Sequence, residues 1–312
     1  MRSLKQNILL FLKGIAMGAA DVVPGVSGGT IAFITGIYEE LLDSIKSIDV
    51  TAILLLKSFK LAELWRHING NFLLILVAGI LTAVLSLAKI LHYLMEVHPI
   101  QLWSFFFGLV LISAIWVFKA IKNWNVIVIV FAIIGIAVAW LLTSASPASI
   151  PDNHLFTLLS GAIAICAMIL PGISGSFILL ILGKYQFIIT ALKELDILVI
   201  LVFALGCVAG LLSFARVVSW ALKKYHDITV AMLSGFMLGS LNKIWPWKET
   251  ISFRTNSKGE QVPFLQENVM PTEFFEKTGQ QPYWLEALFF AALGILLVIV
   301  IEKAANYRKE PV

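Results

Sequence analysis

The chain has 312 residues, 59% of them hydrophobic and 13% charged, with a net charge of +4 and a mean hydropathy of +0.92. Soluble domains carry about 25% charged residues, so a water-soluble globular protein is excluded and an all-α polytopic membrane protein is the expected class. The small positive charge gives no argument for nucleic acid, because basic residues in such a chain report orientation.

Residues 8–42 form the first apolar segment, broken near its middle by Pro24-Gly25-Val26-Ser27-Gly28-Gly29. About 15 residues remain on either side of the break, fewer than the ~17 that cross a bilayer comfortably. The reading is a re-entrant helical hairpin, with a kinked full span as the alternative. This stretch is expected to be kept as structure, since no cleavable leader is evident. Residues 43–71 hold Asp43, Lys46, Asp49, Lys57, Lys60, Glu63 and Arg66 and read as an interfacial helix or cytoplasmic loop. Full spans follow at about 72–95, 101–119 and 125–143. The second broken segment, 154–192, carries Pro171-Gly172-Ile173-Ser174-Gly175-Ser176. Spans at about 197–222 and 228–245, a polar loop 246–284 and a last span at 285–303 complete the chain. Cys166 and Cys207 lie in apolar sequence and read as packing residues.

The two motifs lie 147 residues apart, and Gly14, Gly36 and Tyr38 match Gly161, Gly183 and Tyr185 at the same offset. Further on, Gly79, Ser86, Lys89 and Gly108 match Gly206, Ser213, Arg216 and Gly235 at 127, and Gly135 matches Gly294 at 159. The chain therefore reads as two repeats, 1–145 and 146–312, each one hairpin plus three spans. Three crossings turn the second copy upside down. With both termini cytoplasmic, inner segments collect Arg2, Lys5, Lys46, Lys57, Lys60, Arg66, Lys119, Lys122, Lys223, Lys224, Lys303, Arg308 and Lys309, whereas the short outer loops 96–100 and 144–153 hold no Lys or Arg. That is the positive-inside pattern; Lys193 and the long loop 246–284 depart from it. Inverted repeats with broken helices meeting near the midplane mark secondary transporters.

The chemistry is expected at the tips. Pro24 and Pro171 stop the incoming helices, and Ser27 and Ser174 are placed to cap the outgoing ones. Free N–H groups are expected on Gly28, Gly29 and Thr30, and on Gly175, Ser176 and Phe177, giving two helix N-termini suited to an anion. The alternative is a pair of tight turns. Lys89 and Arg216 are repeat-related cations that either meet the anion or snorkel to headgroups. Asp21, whose counterpart is Met168, is the candidate proton carrier, with cation binding or pairing with Lys13 or Lys89 as the alternatives. Glu39 is a second coupling candidate, although Glu39, Glu40 and Tyr38 also suit an interface. His92, His98, His154 and His226 lack metal-ligand spacing, and nothing calls for a metal or cofactor. An enzyme acting on lipid phosphates needs a nucleophile with acid–base partners or metal-binding carboxylates. The intramembrane inventory of Asp21, Lys89 and Arg216 does not supply them, so no enzyme is expected.

Read whole, the stretches Gly14–Glu39 and Ala167–Tyr185 resemble the polyprenyl-phosphate transporter family of bacteria and archaea, a likeness that covers nearly the whole chain. Loop 246–284 is longer than the family pattern implies. The resemblance implies that undecaprenyl phosphate, left on the outer leaflet after delivering cell-wall sugars, is returned to the cytoplasmic leaflet of the plasma membrane. Its partners are then that lipid and the bilayer; protons are the candidate coupling ion, because a negative-inside potential opposes an anion moving inward and Asp21 could carry the offsetting charge. A carrier or channel for another anion or amphiphile is the alternative.

Overall fold

The computed structural model describes residues 2–23, 25–145, 148, 150–255 and 261–306. Pro24, Arg308, Lys309 and part of the short outer loop 144–153 lie outside the described residues. The first broken segment forms α1 (Leu4–Val22), α2 (Gly28–Ile34) and α3 (Tyr38–Lys46). The second forms α9 (His154–Ile169), α10 (Gly175–Ile181) and α11 (Tyr185–Glu194). Between them lie α4 (Val50–Lys57), α5 (Leu61–His67), α6 (Gly70–Val97), α7 (Pro99–Lys119) and α8 (Val126–Ser144). After them come α12 (Ile197–Lys224) and α13 (His226–Ser240), strands β1 (Lys248–Thr255) and β2 (Gln261–Asn268), then α14 (Pro271–Thr278) and α15 (Trp284–Asn306).

Local chemistry sets many of the helix starts. Side chains of Ser3, Asp49, Asn125, Asn153 and Asp196 accept hydrogen bonds from first-turn N–H groups of α1, α4, α8, α9 and α12, which would otherwise lack partners. Pro99 and Pro271 open α7 and α14, where a missing N–H costs nothing.

Among the described residues, five helices are long and apolar enough to cross a membrane: α6, α7, α8, α12 and α15. A sixth is added if α10 and α11, bent by 109° at their junction, count as one span. The molecule is thus a helical, multi-pass membrane protein. Three expectations need correction. The span at 228–245 ends as a helix at Ser240 after 15 residues, because Leu241–Ile244 turn away. Residues 43–71 hold two short helices, α4 and α5, rather than one helix or an open loop. The loop 246–284 is not irregular: β1 and β2 pair antiparallel, from Lys248 opposite Asn268 to Thr255 opposite Gln261, so the fold carries one small sheet.

The core is organised by small residues. α7 packs on α13, α15 covers α7, and α8 covers α13; α1 packs on α6 and α9 on α12. A Cβ at Gly79 would stand 2.3 Å from the Phe11 carbonyl oxygen, and one at Gly206 would stand 2.0 Å from that of Leu158. Only glycine allows such backbone approach. Phe11 and Leu158 are themselves 147 residues apart. Likewise Gly108 abuts Ala291 while Gly235 abuts Ala132, and Gly135 abuts Met232 while Gly294 abuts Phe105. Glycines matched by the sequence offsets thus meet partners that are themselves matched by those offsets.

Candidate functional site

The two broken segments touch at their tips. α9 ends at Ile169 with carbonyls that its own helix does not satisfy, and the first segment supplies donors for them. Ser27, fully buried, donates to the Leu170 carbonyl at 3.2 Å while its Oγ accepts the Gly29 N–H at 3.1 Å. Tyr38 donates to the Ile169 carbonyl at 3.2 Å. In return the Gly172 N–H donates to Thr30 Oγ1 at 3.0 Å. Gly25 and Gly172 hold the same left-handed turn, at φ +89° and +90°, which side chains resist. A Cβ on Gly29 would come 2.7 Å from the Ile169 oxygen, so glycine is what lets the tips close.

The N–H groups at the two tips differ from the expectation. In the first segment none is free: Gly28 N–H donates to Asp21 Oδ1 at 2.7 Å, Gly29 N–H to Ser27 Oγ, and Thr30 N–H to the Ser27 carbonyl at 3.0 Å. The chain's own carboxylate sits on the start of α2. In the second segment Met168 stands where Asp21 would be. Gly175, Ser176 and Phe177 N–H groups have no acceptor among the described residues. Ser174 does not cap α10; its hydroxyl lies 2.8 Å from that of Ser176 instead.

Other candidates lie away from the tips. Lys89 is exposed on α6. Arg216 bonds the Leu212 carbonyl of its own helix at 2.8 Å and the Ile48 carbonyl, beyond α3, at 3.2 Å. Glu39 is exposed and borders a small hollow with Asp43, Ser219 and Lys223. Glu40 pairs with Arg2 and accepts from Asn69. Asp21 pairs with neither Lys13 nor Lys89 in the contacts described; Lys13 donates to the Thr35 carbonyl at 2.6 Å. Cys166 and Cys207 are free and half-buried.

Two neighbours of the tips escaped the sequence reading. Lys243 follows α13, and its side chain crosses Gly25 on its way to the Phe177 ring, 4.4 Å away. Lys248 donates to the Lys243 carbonyl at 2.5 Å. Neither is repeat-related, and both fall in what the sequence presents as span end and loop. A cavity of about 1180 Å³ adjoins the first segment, bounded by α1, α2, α6, α7 and α15. Its walls include Ala20, Ile31, Leu94, Phe106 and Leu297; Glu96, Gln101 and Glu286 also line it. It exceeds the ~300–1,000 Å³ of ordinary small-molecule pockets.

Comparison with known proteins fits this architecture. A family model described as undecaprenyl phosphate translocase-like matches residues 17–262. A polyprenyl-phosphate transporter of Vibrio cholerae is 50% identical over 296 residues, 95% of this chain and 96% of that protein. A polyprenyl-phosphate transporter of Staphylococcus aureus is 32% identical over 254 residues, 75% of this chain and 85% of that protein. No solved structure matches. With both clasped motifs inside the matched residues, the chain belongs to the undecaprenyl phosphate translocase-like family.

Proposed function

We propose that this protein moves undecaprenyl phosphate across the plasma membrane, returning the lipid carrier to the cytoplasmic leaflet for another round of cell-wall polymer synthesis. The observation that carries the reading is the clasp between the two Pro-Gly-x-Ser-Gly tips beside a large apolar cavity. A phosphate head is held at the tips while its isoprenoid tail stays in the cavity and the lipid. The halves 1–145 and 146–312 are inverted copies, their hairpins enter from opposite faces, and both termini are cytoplasmic. The repeated glycine contacts support this, as does the charge asymmetry.

The phosphate meets the polar atoms of Ser27, Gly28, Gly29 and Thr30 on one tip and of Ser174, Gly175 and Ser176 on the other. Lys89 and Arg216 hold the same place toward the C-terminal ends of α6 and α12; as these helices run in opposite directions in the inverted copies, the two cations guide the phosphate at the two faces. Asp21 links the step to protons. Its carboxylate occupies the Gly28 N–H in the resting state; protonation releases that donor to the arriving phosphate. Glu39 passes protons at the cytoplasmic end. Inward movement of an anion against a negative-inside potential is opposed by about 2.3 kcal/mol per charge per 100 mV, and proton entry offsets this. The protein is a transporter and not an enzyme.

The test is reconstitution in liposomes, following transbilayer movement of undecaprenyl phosphate with and without a pH gradient. Movement above that of empty liposomes, stimulated by an inward proton gradient, is expected. Asp21→Asn should abolish the stimulation. Movement no faster than in empty liposomes removes the proposal, and loss of the phosphate from the lipid replaces it with an enzyme. Faster movement of a small anion than of the lipid points to an anion carrier.

A further inference from the structure

Lys243 and Lys248 stand out because, among the described residues, neither joins an ion pair. Lys243 leaves the end of α13 with its side chain over Gly25, where a Cβ would come within 2.9 Å of its Cγ. Its Nζ ends 4.4 Å from the Phe177 ring centroid. One side chain therefore runs from the tip of the first hairpin to the first turn of α10 in the second. Lys248, at the start of β1, places its Nζ on the Lys243 carbonyl at 2.5 Å and 4.4 Å from the Trp103 ring centroid. Both are partly buried. None of the ion pairs among the described residues includes either lysine.

Two ammonium groups drawn together and partly out of water repel each other and lose hydration. Aromatic faces recover only a small part of that loss. Each ammonium carries three donors; one of Lys248's reaches a carbonyl, and none of Lys243's reaches an oxygen among the described residues. Burial and the nearby Lys243 charge hold the Lys248 ammonium well below its ordinary pKa. Elsewhere a buried lysine is paired: Lys184, fully buried, meets Asp152 and the Pro151 carbonyl. Here two partly buried lysines lie together with no ion pair among the described residues, and they lie at the clasp.

We propose that Lys243 and Lys248 are the cations that receive the phosphate monoester of the lipid headgroup, completing the anion site between the hairpin tips. The proposal rests on the transport reading above for the identity of the lipid. Neither lysine has a counterpart in the other half: the position matching Lys243 at offset 127 is Trp116. The cationic part of the site is therefore single and belongs to the second half, while the carboxylate, Asp21, belongs to the first.

The test uses the full chain in phosphatidylcholine nanodiscs. Equilibrium binding of labelled undecaprenyl phosphate is compared with that of undecaprenol, which lacks the phosphate, and with competition by inorganic phosphate. Lys243→Met/Lys248→Met should weaken binding of the phosphorylated lipid by about tenfold or more. Binding of undecaprenol should stay within about twofold of wild type. Lys243→Arg should keep phosphate-dependent binding, and Lys57→Ala, on exposed α4, should change nothing. Should the double variant fail to fold, the single Lys243→Gln and Lys248→Gln variants give the same comparison. Wild-type affinity for the phosphorylated lipid in folded variants overturns the proposal, as does an equal loss for both lipids. Lysine-dependent binding of inorganic phosphate without any of the lipid overturns the lipid as its source. Lysine-dependent binding of the lipid without transport in liposomes removes the transport reading and leaves the site standing.

Discussion

Thr30 carries one end of the clasp with a single oxygen. It is fully buried, and its Oγ1 is the acceptor for the Gly172 N–H. Thr30→Val keeps the shape and removes the acceptor, leaving a buried N–H unpaired at a cost of about 1–3 kcal/mol. A lower melting temperature in detergent is expected, largely recovered by Thr30→Ser; equal melting of the valine variant and wild type would show that the contact contributes nothing. The site was only partly legible at this scale. Ser27 and Ser174 occupy the same place in the same motif, yet Ser27 caps its helix and Ser174 turns to Ser176. The difference comes from residues far away in sequence: Ser27 has the carbonyls at the end of α9 to hold it in place. Asp21 was visible as an ionisable residue, but its role as the occupant of α2 depends on how sharply the chain turns over seven residues. Lys243 gave no signal, because only the fold brings the end of α13 over Gly25.

At the scale of elements, α3 is fastened to α12 by one carboxylate. Asp43 accepts from Lys223 Nζ at 2.7 and 2.8 Å and from the Ser219 hydroxyl at 2.8 Å. Partial burial alone would raise the Asp43 pKa, but the bonds from Lys223 and Ser219 outweigh it and the carboxyl stands below its usual value. A carboxylate depressed in this way stabilises the fold above its unfolded pKa of about 3.9 and loses that contribution as pH falls through the folded value. Lys223→Met should therefore melt below wild type near neutral pH, and the gap should close below about pH 4. A gap that persists unchanged in acid assigns the lysine's effect to packing. Element types were legible wherever a long apolar run had a cap at its start, as with Asn125 before α8 and Asp196 before α12. The early end of α13 was not, since Leu241 and Ile244 continue the apolar pattern while their backbone turns away. Nor was the strand pair, whose β1 mixes charged, polar and apolar residues.

At the scale of the whole molecule, the clasp and the large cavity both adjoin the first broken segment. Ala20 lines the cavity, and its chain neighbour Asp21 caps α2 at the clasp. For a head held at the tips, as proposed, this cavity, lined by residues of α1, α2 and α15, offers an apolar space for the tail. Leu297 stands on α15 at the cavity wall and is 42% exposed, so a larger side chain fits there without disturbing packed core. Leu297→Trp should fill part of the tail space and leave the clasp untouched. A carrier that lodges the tail in this cavity should then slow for undecaprenyl phosphate far more than for a polyprenyl phosphate of two or three isoprene units, whose short chain needs little of the space. A carrier that grips only the head should slow equally for both or not at all. Transport of the two lipids by wild type and Leu297→Trp in the same liposomes measures this ratio, and a ratio unchanged by the substitution places the tail in the bilayer and not in the cavity.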